Sequence, residues 1–308
     1  MTGTMTSPRT ITSRSPEVAA SLPGGIVVAV DGSVESVAAL STAAIIARRR
    51  GCVGHVVNVL PQFPSYQINP RSDARMENVD GLRVRLRRTE VQDMMEAVEV
   101  GEGWSQSVVV GRPARVIVAI AEERGADLIV IGRRAHGVMD RILGGETTFQ
   151  VMRLSPIPVL AVPSEIEGLQ RVAVAVDFSP SSTRAAQVAL ELVDGSGTLY
   201  LVHVEPPVEL FPLGFTIPDD TLNPGDIKTW LQRLVDDLHA PNGVTVEPVI
   251  LNGKPVPAIV EFAERVGAGM IAAGSHGHTR MERFFLGSVS TGLVRNAACT
   301  VLIAPQGD

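Results

Sequence analysis

Val172-Ala173-Val174-Ala175-Val176-Asp177 repeats Ile26-Val27-Val28-Ala29-Val30-Asp31. Each run is apolar at every position, closes on an aspartate, and has a serine two residues further on, Ser33 or Ser179. An unbroken apolar run followed by a capping residue reads as a strand buried on both faces and then a helix start. Outward from these runs the match continues. Val56-Val57-Asn58-Val59-Leu60-Pro61 corresponds to Leu201-Val202-His203-Val204-Glu205-Pro206, and Gly111-Arg112-Pro113 to Gly253-Lys254-Pro255. Leu128-Ile129-Val130-Ile131-Gly132 corresponds to Met270-Ile271-Ala272-Ala273-Gly274, and Pro158 to Pro163 to Thr300 to Pro305. The offset stays between 146 residues (Ile26 to Val172) and 142 residues (Leu128 to Met270). That is two copies of one domain and excludes a solenoid of short repeats.

Each copy alternates strand and helix. In the second, strands are expected at Arg171 to Val176, Thr198 to Val204, Val244 to Leu251, Met270 to Ala273 and Thr300 to Ile303. Helices are expected at Thr183 to Leu192, Ile227 to Leu238, Val256 to Val266 and Val289 to Asn296. Ser179, Ser181 and Ser182 offer caps for the first helix. Trp230, Leu231, Leu234, Val235 and Leu238 share one face of the second. Right-handed crossovers then make a parallel five-stranded α/β sheet with four helices on its two faces. The first and fourth strands flank a switch point, where diverging loops leave a ligand crevice. The expected layout is a flexible tail over 1–22, a first domain over 23–164 and a second over 165–308. The short joint, Ser164 to Gln170, suggests that the halves pack together.

Composition agrees. Of 308 residues, only eight Phe, two Tyr and two Trp are aromatic, so the core must come from Val, Ala, Leu and Ile. The net charge of −6 and pI near 5.6 argue against nucleic acid as a partner. Cys52 and Cys299 lie far apart beside apolar runs and read as small buried hydrophobes. The Ser/Thr-rich start lacks the apolar core of a signal peptide, and no apolar stretch is long enough to span a membrane. A cytoplasmic location without membrane association is expected.

The chemistry concentrates in Gly274-Ser275-His276-Gly277 and, after nine further residues, Gly287-Ser288-Val289-Ser290. Glycines at 274 and 277 let backbone approach a ligand without a Cβ between. Gly287 and Ser288 open a helix, where unpaired N–H groups and the helix dipole favour phosphate. Arg280 and Arg283 lie in the intervening loop. Taken alone, such a loop fits either a phosphate cradle or a plain turn with a helix cap.

Gly-2x-Gly-9x-Gly-Ser, together with Asp177 and Asp31 at the strand ends, resembles the universal stress protein family, in its tandem-domain actinobacterial form. The likeness runs from about Gly24 to Pro305. It implies two Rossmann-like domains of the adenine nucleotide alpha hydrolase-like type, strand order 3-2-1-4-5. In the ATP-binding branch it implies that Asp177 and Val204 meet adenine, and Gly274 and Gly277 ribose and phosphate. Gly287, Ser288, Val289 and Ser290 would hold phosphate, with Mg2+ (or Mn2+) on the nucleotide. It also implies pairing of the last strands, here within one chain as a pseudo-dimer, with homodimerisation of the whole chain left open.

The first copy departs from the pattern. Gly132-Arg133-Arg134-Ala135 is followed, nine residues later, by Gly145-Glu146. A carboxylate repels phosphate, although Arg133 and Arg134 could offset it and Thr147 or Thr148 supply hydroxyls. Weaker binding is expected there, with Asp31, Val59, Gly132 and Gly145 as the corresponding contacts.

Other candidates carry less. His276 and His278 have no evident third metal ligand, and His136 is their counterpart. His203 reads as a satisfied strand residue. Ser33 and Ser179 lack a histidine partner and read as caps. No GxxxxGK[ST] loop is present, and no residue is placed to orient water on a γ-phosphate. Arg83, Arg85, Arg87 and Arg88 read as the solvated face of a helix over Leu82 to Val98. Loops Pro61 to Asp80 and Pro206 to Asp226, with Phe63, Tyr66, Phe211 and Phe215, are candidate lids. The function expected is an ATP-binding stress-response regulator with unknown protein partners. The rivals are a scaffold that binds no nucleotide and a slow ATPase or adenylyl-transferring enzyme.

Overall fold

The computed structural model describes residues 25–62, 73–134, 145–166, 168–205, 224–277 and 286–306. The tail over 1–22, Phe63, Tyr66, Phe211, Phe215, Ala135, His136, His278, Arg280 and Arg283 lie outside the described residues. In the first half the elements are β1 (Gly25–Ala29), α1 (Val34–Arg50), β2 (Gly54–Pro61), α2 (Asp73–Val98), β3 (Ser105–Gly111), α3 (Pro113–Glu123), β4 (Ala126–Gly132), α4 (Gly145–Leu154) and β5 (Val159–Val162). The second half repeats them as β6 (Arg171–Ala175), α5 (Pro180–Leu192), β7 (Thr198–Glu205), α6 (Pro224–Asp237), β8 (Thr245–Asn252), α7 (Pro255–Val266), β9 (Met270–Gly274), α8 (Ser288–Asn296) and β10 (Thr300–Ala304).

All ten strands form one sheet, ordered β3-β2-β1-β4-β5-β10-β9-β6-β7-β8. Each half has the order 3-2-1-4-5 and is parallel throughout. The halves meet antiparallel, with Val301 opposite Ala161, Leu302 opposite Leu160 and Ile303 opposite Val159. The intrachain pseudo-dimer is therefore a continuous sheet, and the apolar last strands cover each other's edges.

Alternation explains why this sheet is buried on both faces. Ile26, Val28, Leu160, Val172, Val174 and Leu302 point into one core with α1 and α5. Val27, Ile129, Val159, Ala173, Val301 and Ile303 point into the other, with α3 and α7. Alanines at 38, 39, 43, 44 and 47, and at 185, 186 and 189, let α1 and α5 lie close on the strands. Burying one Val or Leu side chain contributes about 1.5–3 kcal/mol, and the scarce aromatics are not needed to fill this space.

Ser33 and Ser179 are the caps of α1 and α5, accepting from the Ser36 and Ser182 amides at 3.2 Å each. The connection from β5 to β6 is not wholly polar in role, since Leu169 is fully buried. Two expectations need correction. The helix expected from Leu82 begins at Asp73, so the end of the supposed Pro61 to Asp80 loop is helical. Trp230 does not share the buried face of α6; Ile227, Leu231 and Leu234 do, while Trp230 is half-exposed and stands edge-on to Phe178. In the arginine run Arg85 and Arg88 are exposed, while Arg83 and Arg87 are half-buried and paired to Asp80 and Glu90, both at 2.7 Å, with Arg87 lying against Gly32. No helix among the described residues is long and apolar enough to cross a membrane.

Candidate functional site

The crevice of the second half opens where β6 and β9 part. Their pairing ends at Ala175 opposite Ala273, and the following residues diverge. Asp177 lies just beyond β6, accepting from the Ser179 amide at 3.0 Å and the Ser179 hydroxyl at 2.5 Å. Phe178 has a left-handed backbone (φ 64°), the conformation that Gly32 takes in the first half (φ 87°). Such a conformation costs a non-glycine residue of order 1–3 kcal/mol. Its ring lies 5.0 Å from His203 and 5.5 Å from Trp230, contacts that hold it in place.

β7 continues three residues, His203 to Glu205, beyond its pairing with β6. The Val202 carbonyl accepts from Val176 N–H at 2.8 Å, so the backbone of Val202 faces β6. With period two, the backbone of Val204 faces the same way, past the end of β6, while its side chain is buried. His203 is a satisfied strand residue, bonded through Nδ1 to the Val176 carbonyl at 2.8 Å.

The loop after β9 is packed against the start of α5. A Cβ on Gly274 would lie 2.7 Å from the Ser181 carbonyl carbon and the Ser182 amide nitrogen. A Cβ on Gly277 would lie 2.8 Å from the Asp177 carboxylate. Asp177 thus meets Gly277, whereas Gly274 meets the first turn of α5. The His276 carbonyl accepts from the Ser181 hydroxyl, and the Ser179 hydroxyl, whose one proton it shares with the nearer Asp177, lies 3.3 Å away. These two serines, read in the sequence only as caps, also position the loop; no local pattern distinguishes that second role. His276 Nδ1 contacts the Ser275 hydroxyl at 2.8 Å, and burial lowers its pKa.

α8 begins at this loop. The Gly287 amide donates to the Ser275 carbonyl at 2.8 Å, and the buried Ser290 hydroxyl donates to the Gly274 carbonyl at 2.6 Å. Gly287, the N-cap, gives no side-chain bond to the helix, and α8 has no proline in its first turn. Helices α3 and α7 also lack a side-chain cap but start on proline. Gly287 therefore gives the first-turn amides of Ser288, Val289 and Ser290 no cap, and the Ser288 side chain beside them is exposed.

In the first half the same backbone carries other chemistry. Gly132 is equally close to α1, a Cβ there lying 2.7 Å from Glu35 backbone. Asn58 donates to the Val30 carbonyl at 2.7 Å, the counterpart of His203. Val59 extends past β1 as Val204 extends past β6. Thr148 turns its hydroxyl to the Gly132 carbonyl at 3.3 Å, as Ser290 does to Gly274. Burial works to raise the Asp31 pKa, but hydrogen bonds from Ser33 and Ser36 and the nearby Arg134 leave it lowered. Gly145 opens α4, and the Glu146 side chain lies outside what is described.

Arg133 corrects an expectation. It does not offset a carboxylate at a phosphate site. It is buried and crosses to the second half, donating to the carbonyls of Val294 (3.1 Å), Ala297 (2.8 Å) and Cys299 (2.9 Å). The strand seam places the end of β4 near the end of α8, and unpaired helix carbonyls draw the guanidinium there. Arg134 reaches Glu35 at 3.9 Å.

A mirrored pair of 3-2-1-4-5 halves, each with its switch point between the first and fourth strands, defines a tandem α/β protein with a Rossmann-like sheet in each half. The universal stress protein family model matches residues 25–163 and 168–305, and the chain belongs to that family. Universal stress protein Rv1996 of Mycobacterium tuberculosis is 25% identical over 91% of this chain and 94% of its own length. Universal stress protein Rv2005c of the same organism is 26% identical over 92% and 97%. A universal stress protein structure from Archaeoglobus fulgidus covers 92% of this chain and 97% of its own, with TM-score 0.65 and 23% identity, a likeness of fold.

Proposed function

We propose that the second half binds ATP with Mg2+ (or Mn2+), and that the bound state of this stress-response protein, in the cytoplasm, biases its contacts with protein partners. The observation that carries the reading is the start of α8, which has no side-chain cap among the described residues and is bonded through the Gly287 amide to the loop of Gly274 and Gly277. The residues fit a polyphosphate: first-turn amide donors and the exposed Ser288 hydroxyl at a helix start. In this reading the Ser288, Val289 and Ser290 amides and the Ser288 hydroxyl hold phosphate. The Gly287 amide and Ser290 hydroxyl, already bonded within the loop, hold its shape instead. Gly274 and Gly277 lie along ribose and phosphate. Asp177 and the outward backbone of Val204 meet adenosine. The metal would sit mainly on phosphate oxygens. The first half, with Asp31, Val59, Gly132 and Gly145 in the corresponding places, binds weakly at best.

A thermal-shift titration with ATP and Mg2+ tests this. Stabilisation follows RT ln(1 + [L]/Kd), about 2.7 kcal/mol at a hundredfold excess over Kd. The reading expects a saturable rise in melting temperature; a flat titration to millimolar ATP refutes it.

A further inference from the structure

Two helices of the second half end in guanidinium groups supplied by the first. At the end of α8 the donor is Arg133, as described above. At the end of α5 it is Arg49, which donates to the Leu192 carbonyl at 3.2 Å and the Val193 carbonyl at 2.8 Å and pairs with Asp194 at 2.6 Å. These are the helices whose other ends build the crevice: α5 through Ser181 on the His276 carbonyl, α8 through its first turn. A third contact across the halves places Arg295 of α8 over the Phe149 ring of α4, 5.4 Å from its centroid. α8 has nine residues, about 13 Å of helix, so a displacement at one end is carried rigidly to the other.

Arg133 is the residue that makes the two loops unequal in use. It stands where the second half has Ser275, whose hydroxyl stays within its own loop on His276. Its own amide donates to the Val162 carbonyl at 2.8 Å, as Ser275 donates to Ala304, so the backbone frame is the same. The side chain has left its own crevice and serves its neighbour's helix.

We propose that Arg133 is a positioning residue for the second crevice: the first half, having lost the phosphate loop, acts as a brace that sets α8 for phosphate. This rests on the ATP reading above, and its test separates the two. ATP affinity is measured by calorimetry on the full chain, and amide exchange over 286–299 is followed without nucleotide. The variants are Arg133→Ser, which installs the second-half residue, Arg133→Lys, which keeps the charge, and Val56→Ala, which opens a cavity in the first-half core away from α8. Arg133→Ser is expected to weaken ATP about tenfold, with faster exchange at the hydrogen-bonded α8 amides from Thr291 to Asn296. Arg133→Lys recovers most of the affinity, and Val56→Ala lowers the melting temperature with no change in Kd. Wild-type affinity and exchange in Arg133→Ser overturn the brace. So does a Val56→Ala variant that weakens ATP equally, since that is general destabilisation. If the wild-type chain binds no ATP, the site reading fails, while exchange at Thr291 to Asn296 still decides whether Arg133 holds α8. If Arg133→Ser does not fold, Arg133→Lys carries the same exchange comparison in reduced form.

Discussion

Gly132-Arg133-Arg134 and Gly274-Ser275-His276 leave equivalent strands on equivalent backbones, yet point their side chains at different tasks. In the second half the side chains are small or neutral, and the His276 carbonyl is tied to α5. In the first half one arginine crosses the seam and the next meets Glu35, at the position of Ser181. The difference teaches that a duplicated fold constrains the strand ends and leaves the loop side chains free to diverge. Backbone packing demands glycine at both 132 and 274. At 277 a Cβ would instead meet the Asp177 carboxylate.

The largest effect expected is loss of nucleotide. Gly277→Glu puts a carboxylate against Asp177, and Ser288→Glu puts one at the α8 start; each should remove the ATP-induced melting shift entirely. A retained shift in either breaks the assignment of binding to the second half. Next come the shared glycines. Gly274→Ala and Gly132→Ala each drive a Cβ into helix backbone and should cost about 1–3 kcal/mol in denaturant unfolding, similarly in both halves. A large cost in one half only would show that the frames are not equivalent.

A pH difference should follow. His55, on β2, is buried between Ser105 and Ser107, with hydrogen bonds of 2.8 and 2.9 Å. Burial, reinforced by Arg124, pushes its pKa from 6.5 down to about 3. The folded state keeps it neutral while the unfolded chain takes up a proton below pH 6.5, so stability is full above that value and falls as pH drops toward 3. Between pH 7 and 5 the loss from this residue is about 2 kcal/mol. His55→Gln should flatten that part of the pH profile of unfolding, and an unchanged profile would contradict it. The smallest effect expected is in Glu146→Ser, which removes one mismatch from the first-half loop and should add only a weak second ATP site.

The fold was legible because its signal is local. Apolar runs such as Val172 to Val176 declare buried strands, the repeat declares two halves, and Ser33 and Ser179 declare helix starts. The pairing of the two last strands was implied by the family likeness and agrees with their apolar edges, while its antiparallel sense comes from the structure. The loop was legible only as a glycine pattern. That Gly277, not Gly274, faces Asp177 depends on how far the strands diverge. Arg133 was misread because its partners lie more than 160 residues away, at carbonyls that carry no side-chain signature. The early start of α2 and the half-exposed Trp230 were missed because helix ends and edges are decided by packing against neighbouring elements.

The most direct measurement is the stoichiometry of ATP and Mg2+ on the full chain by calorimetry, with Gly277→Glu beside the wild type. One ATP per chain, lost in Gly277→Glu, is the expected result. Two equal sites, none, or a single site that survives Gly277→Glu would contradict a division of labour in which the second half binds and the first supports it.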